Sequence, residues 1–274
     1  MKATTAIGIT LAVVSILLAV IMEGGNPAAL LNIPALLIVV GGTLGVCVAG
    51  QSIEKSKMIP KLMILAMKGN ELDHRAAISQ MVKLAEKARR EGLLALEDDL
   101  SKVDDAYVRK GMQLVVDGAD SDMIRGVLEA ELSGMEQRHG ANENIYRTAG
   151  GFGPTIGILG TVLSLVQVLE NLDDPSSLGH SIAGAFIATL YGVGSANVVY
   201  FPIANRLKEM SAEEVHYREM VMEAILAIQA GENPRLLGER LETFLPPAER
   251  GQPIESAKGA AADEFAAEPV AEAA

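Results

Sequence analysis

The chain has 274 residues, 49% of them hydrophobic, and a formal charge of −12 from 23 basic and 35 acidic side chains. That charge speaks against nucleic acid as a partner, and the single cysteine, Cys47, excludes an internal disulfide or a cysteine metal cluster. The histidines at 74, 139, 180 and 216 lack metal-ligand spacing, so neither a metal nor a cofactor is expected. A mean hydropathy of +0.26 places part of the chain in membrane lipid.

Residues 4–22, TTAIGITLAVVSILLAVIM, are the first apolar run. The run is long for a signal-peptide core, and EGGNP follows it with no A-x-A cleavage site, so a retained helix is expected. After the turn-rich linker 23–29, a second apolar run covers 28–50, with Pro34 as a possible early kink and Gly41 and Gly45 as a close-packing pair. Residues 51–147 change character. Ile78, Met81, Val82 and Ala85 recur at helical spacing, as do Ile124, Val127, Leu128, Leu132 and Met135. A further helix is expected near 104–116, and Asp120 is placed to cap the helix after it. This insert contains no P-loop, phosphate cradle or nucleophile elbow, so an enzyme is not expected.

Two more apolar runs follow, 148–169 and 181–203, joined by ENLDDPSSLGH. Each has about the 20 residues that a helix needs to cross a ~30 Å hydrocarbon core. Gly153, Gly157 and Thr161 form a small-residue stripe on the first, and Gly184, Ala188, Gly192 and Ala196 form one on the second. Such stripes let backbones approach closely, within one chain or between subunits. Pro154 and Pro202 are candidate bend points. Helical patterning continues past Pro202 to Gly231, and PRLLGERLETFL is a further short helix. Residues 249–274 are rich in Ala, Glu, Gly and Pro and are expected to be a disordered acidic tail.

The loops orient the spans. Linkers 23–29 and 170–180 contain no Lys or Arg, whereas Lys55, Lys57 and Lys61 follow the second run, Arg138 and Arg147 precede the third, and Arg206 and Lys208 follow the fourth. By the positive-inside rule both termini and residues 51–147 are cytoplasmic. The expected fold is an all-α integral membrane protein with four transmembrane helices and a helical cytoplasmic insert between the second and third. Its parts are a first helix pair (1–50), the insert (51–147), a second pair (148–203), a cytoplasmic extension (204–248) and the tail (249–274).

Ion pathways normally carry an ionisable residue at membrane depth, and none of the four apolar runs contains Asp, Glu, Lys, Arg or His. Either no ion moves, or a partner helix brings the carboxylate. Here the sequence resembles a known family, motility protein A (MotA/PomA), the flagellar stator subunit. The resemblance covers roughly residues 1–250. It is carried by ARREGLLALED (88–98), GFGPTIGILGTVLSLVQVLENLDDP (151–175), GAFIATLYGVGSANVVYFPIANRLK (184–208) and MEAILAIQAGENPRLLGERLETFLPP (222–247).

The resemblance implies five such subunits in the bacterial inner membrane around two copies of motility protein B. That partner supplies the ion-carrying aspartate and a peptidoglycan anchor. Ion flow, H+ or Na+, would turn the pentamer against the rotor switch protein. Arg89, Arg90 and Glu97 match the family's rotor-facing charges, and Pro154 and Pro202 its two membrane-end prolines. Thr161 and Thr189 match threonines of sodium-type members. Their oxygens suit a cation that must shed water, which tilts the expectation to sodium. Two alternatives are an ExbB/TolQ-like energiser, which typically lacks the two closely spaced N-terminal spans, and a static membrane scaffold.

Overall fold

A computed structural model of the chain describes residues 4–69, 72–101, 103–170, 172 and 175–251. These residues form helices and connecting turns, with no strand among them. The protein is an all-helical membrane protein. Three helices are long and apolar enough to cross a membrane: Thr4–Met22, Ser121–Glu170 and Ser181–Gln229. The apolar helix Ile33–Ala49 is shorter.

The chain divides into two compact units, one from Met1–Asn70 with Gln137–Ser211, the other from Glu71–Glu136 with Ala212–Ala274. The first unit opens with α1 (Thr4–Met22), which buries none of its residues. An apolar helix with no buried face needs lipid or another chain around it. Next, α2 (Ile33–Ala49) starts later than the apolar run at 28–50 does. Pro27–Leu30 forms a 3-10 turn, and Asn32 then caps the helix by accepting from the Ala35 amide at 3.0 Å. Pro34 therefore lies in the first turn, where its missing N–H breaks no bond, and does not kink the helix body. The irregularity in α2 is instead a π turn at Leu37–Gly41. One extra residue per turn rotates the faces that follow. The close approach accordingly falls on Gly42, where a Cβ would lie 2.9 Å from Ile156 Cγ2, while Gly41 and Gly45 face open space. After α3 (Ile59–Lys68), the Tyr146 hydroxyl donates to the Ile59 carbonyl at 2.6 Å and ties α3 into this unit.

The second unit begins with α4 (His74–Glu91), capped by Asp73, whose carboxylate accepts from the Ala76 amide at 2.9 Å. Its apolar face, Ile78, Met81 and Ala85 among others, is buried. Then come a 3-10 turn at Leu93–Leu96, a short helix at Glu97–Leu100 and α5 (Ala106–Val116). The following α6 (Ser121–Glu170) is one continuous helix with Pro154 inside it, and Asp120 accepts from the Met123 amide at 2.8 Å at its start. The last long helix, α7, runs from Pro175–Gly194 through a π turn at Ser195–Tyr200 into Phe201–Gln229, and α8 is Pro234–Leu241. Leu96, Met112, Ile124, Leu128, Ile225 and Leu237 meet in the core of this unit.

One ion pair anchors that core. Arg218 donates to both oxygens of Asp105 at 2.6 Å, and its guanidinium lies 5.0 Å from the Tyr107 ring centre. Burial pulls the Arg218 pKa down, but the hydrogen bond and charge of Asp105, with Glu214, more than offset it and hold the group above its ordinary value. Burial also pushes the Tyr107 phenol up to about 12. Of the expected tail, residues 252–274 lie outside the described part. At its start, Arg250 donates to the carbonyls of Leu245 and Thr243 at 2.8 and 2.9 Å.

Candidate functional site

The small-residue stripes on α6 and α7 are spent on each other. A Cβ on Gly192 would lie 2.6 Å from the Gly153 carbonyl oxygen and 2.9 Å from Gly157 Cα, and one on Gly157 would lie 2.9 Å from the Ala188 oxygen. Two glycines facing each other bring the backbones closer than any side chain permits. Gly184 is the exception: its nearest neighbour is the Asn32 side chain, at 3.2 Å from a Cβ.

This close approach brings Thr161 and Thr189 together, with their hydroxyl oxygens 2.5 Å apart. Thr161 also reaches the Ala185 carbonyl at 2.8 Å and that of Gly157, on its own helix, at 3.1 Å. Two hydroxyls carry two protons. Both are used when Thr189 donates to Thr161 and Thr161 donates to Ala185. That arrangement leaves lone pairs on the half-buried Thr189 oxygen free to accept.

Pro202 lies two residues after the π turn of α7. Proline lacks an N–H and its ring crowds the carbonyl four residues earlier, and a widened turn relieves both problems. The Asn197 and Ser195 side chains satisfy carbonyls in this region, at Val193 (2.9 Å) and Gly192 (3.2 Å). Reading the sequence missed Tyr191. Its hydroxyl donates to the Leu30 carbonyl and accepts from the Asn32 amide at 3.4 Å, pinning the start of α2 to α7. The available signal was a phenol inside an apolar run, because a buried phenol needs a partner. Thr43 was missed as well; its buried hydroxyl has no partner among the described residues.

In the second unit, Arg89 and Arg90 occupy the exposed last turn of α4, where positive charge complements the helix dipole. Gly92, at φ +89°, turns the chain out of the helix in a conformation that favours glycine. Buried Leu96 anchors the turn that follows, and Glu97 stands exposed just after it. Lys87 and Asp99 close the base of the turn at 2.6 Å, and this hydrogen bond raises the Lys87 pKa. Among the described residues, Arg90 pairs only with its neighbour Glu91, at 3.2 Å. The three matched charges thus project from one braced segment. Among the described residues no cluster of three or more His, Cys, Asp or Glu side chains is placed to hold a metal.

Known proteins resemble this chain along most of its length. Residues 6–92 match the family "Motility protein A N-terminal", and residues 99–220 match the "MotA/TolQ/ExbB proton channel family". Motility protein A of Bacillus subtilis is 37% identical over 251 residues, covering 91% of this chain and 93% of its own. Chemotaxis protein PomA of Vibrio alginolyticus is 34% identical over 236 residues, covering 85% of this chain and 91% of its own. In the structure of the flagellar MotAB stator complex from Bacillus subtilis, a chain 37% identical superposes with a TM-score of 0.85, covering 90% of this chain and 97% of that one. The match over residues 6–92 separates the chain from the energiser alternative. It belongs to the MotA/PomA family of flagellar stator subunits, ion channels that drive flagellar rotation and are not enzymes.

Proposed function

We propose that four helices of this chain, α1, α2 and the apolar stretches of α6 and α7, span the inner membrane. Both termini and the 51–147 insert then lie in the cytoplasm. Five chains surround two copies of a motility protein B partner, and ion flow turns the ring against the rotor switch protein. One observation carries this reading. No apolar run contains Asp, Glu, Lys, Arg or His, yet the family conducts ions. The titrating carboxylate therefore belongs to a partner helix, as it would in a MotAB complex. Each monovalent ion crossing 100 mV releases about 2.3 kcal/mol, so repeated passage can drive a mechanical cycle.

The functional segments follow from that topology: helix pairs at 1–50 and 148–203, the rotor-facing insert 51–147, the extension 204–248 and the tail 249–274. Arg89, Arg90 and Glu97 meet complementary charges on the rotor. Pro154 and Pro202 serve as the bend points through which the pore helices move. Single cysteines test the topology. In a Cys47→Ala background, cysteines at Asn26 and Ser177 should react in intact cells with an impermeant thiol reagent, and one at Ser101 should not. Labelling at Ser101 would reverse the orientation.

Thr161 and Thr189 hold the ion's path, and we assign sodium as the ion. The free lone pairs on Thr189 are the oxygen ligands that a partly dehydrated cation requires. Thr189→Ala should raise the sodium concentration that supports half-maximal swimming about tenfold, the effect of ~1.4 kcal/mol. Thr161→Ala should do the same, because it removes the bond that orients Thr189. Swimming that ignores sodium in the unaltered protein, yet collapses with a proton uncoupler, would rule for protons.

A further inference from the structure

Within the first unit, α3 has unlike faces. Leu62 and Ala66 are buried in a cluster with Ile145, Tyr146, Ile203, Ala204 and Leu207. Those partners flank the inner ends of the apolar runs 148–169 and 181–203, so α3 lies at the level where hydrocarbon gives way to headgroups. By helical geometry the face beside the buried one carries Met63, Met67 and Ile64, and the edge beyond it carries Lys61 and Lys68, with Leu65 on their far side. All six are exposed, Ile64 by 50%. The short helix before α3 has the same make-up, with Ile53 69% exposed and Lys55 exposed, and exposed Lys57 follows it. Among the described residues the lysine salt bridges are those of Lys87 and Lys110, and none involves these four lysines. Residues 51–68 thus hold four lysines and one acid in a chain whose formal charge is −12.

We propose that residues 53–68 form a membrane-surface element that selects anionic phospholipid. Exposed apolar side chains beside unpaired cations are the pattern of a helix lying in the plane of a bilayer surface. Met63, Ile64 and Met67 enter the acyl region, and the lysines extend their alkyl stems to bring ammonium groups to the phosphates. An ammonium is a point charge that needs no fixed donor geometry, which suits a fluid lipid surface. A neighbouring copy of the chain would cover the methionines only by desolvating the lysine edge beside them, a cost that anionic headgroups do not impose. The Tyr146 hydroxyl donates to the Ile59 carbonyl at 2.6 Å, so lipid that holds α3 also holds the depth of α6. The inference rests on the proposed topology only for the leaflet, which is then the cytoplasmic one.

The chain contains no tryptophan, so Ile64→Trp puts a fluorescent reporter on the exposed face. The full-length subunit carrying it is reconstituted with its partner in vesicles of phosphatidylcholine and phosphatidylglycerol, and the signal of the complex without the substitution is subtracted. Bromine, a short-range quencher, is placed on the acyl chains either of the phosphatidylglycerol or of an equal amount of the phosphatidylcholine. Brominated phosphatidylglycerol should quench at least about twofold more, and about 0.5 M sodium chloride should remove that excess. Lys55→Gln, Lys57→Gln, Lys61→Gln and Lys68→Gln together should also remove the excess, while quenching by brominated phosphatidylcholine persists because the apolar face is still seated. Absence of quenching by either lipid would put this face in water or against a neighbouring copy and overturn the proposal. Equal quenching by the two lipids with all four lysines present would overturn it as well, as would an excess that survives the four substitutions. The vesicles have the same lipids in both leaflets, so a reversed topology leaves these results unchanged and shows only in the labelling at Ser101.

Discussion

Reversing two charges together, Arg89→Glu with Glu97→Lys, is expected to cut swimming speed about tenfold or more while the protein stays in the membrane at its normal level. Neither side chain supports the fold. Both are exposed, and the turn that carries them is held by buried Leu96 and by the Lys87–Asp99 bridge. Charge changes at exposed positions typically shift stability by no more than ~1 kcal/mol. Against a rotor of fixed complementary charge, however, each reversal turns an attraction into a repulsion, and like charges facing each other cost several kcal/mol. Compensating reversals on the rotor should restore part of the speed. Normal swimming by the double variant, measured alongside membrane protein level, would remove these residues from the torque contact.

The second large effect is expected at Gly192. A single added methyl there lies 2.6 Å from the Gly153 carbonyl oxygen and 2.9 Å from Gly157 Cα, both backbone atoms that cannot rotate away. Gly192→Ala therefore has to push α6 and α7 apart. That lengthens the Thr161–Thr189 contact and opens the hairpin. Overpacking of this kind costs ~1–3 kcal/mol, enough to lower the amount of assembled protein about tenfold or more. Gly194→Ala makes the same chemical change on the same helix, where a Cβ meets nothing within 4 Å. It should leave assembly unchanged or slightly improved, since alanine favours a helix over glycine by ~1 kcal/mol. The thermal midpoint and yield of the detergent-purified protein measure both. Equal behaviour of the two variants would show that the hairpin tolerates separation.

The sequence made the helices legible because their determinants are local. Asp120, read as a cap, accepts from the Met123 amide, and the structure adds Asp73 and Asp105 in the same role at two other helix starts. The apolar positions of α4, Ile78, Met81, Val82 and Ala85, are buried as their spacing requires. The glycine stripes were readable as close-packing faces, but the pattern alone did not say which surface each would meet. That depends on register between two helices, which small side chains leave open. The π turn in α2 had no signature in residue types, and it moved the contact from Gly41 and Gly45 to Gly42.

Membrane segments and compact units divide the chain differently. Apolar runs meet polar sequence near 50, 147 and 203, whereas the compact units divide at 70, 136 and 211. The two divisions answer to different forces. Hydropathy ends where lipid would end, but α6 and α7 continue as unbroken helices through that point. The site was legible only in part for a similar reason. Thr161 and Thr189 are 28 residues apart in the chain and each is unremarkable alone. Only the approach of Gly157 to Gly192 places their hydroxyls in contact. Arg206 stood out in sequence as an orienting charge, and that it is buried was not legible there.

Ion flow through a stator complex built on this subunit turns the flagellar rotor. The most direct measurement is the rotation of tethered cells of a strain from which the chain has been removed, with filaments counted in parallel. Filaments should be present in normal number and stationary. Rotation should resume when the unaltered chain is expressed again, and should not resume with the Arg89→Glu, Glu97→Lys form at equal membrane level. Rotation that continues without the chain would show that the subunit does not drive the rotor, and full return with the reversed form would show that Arg89 and Glu97 carry no torque.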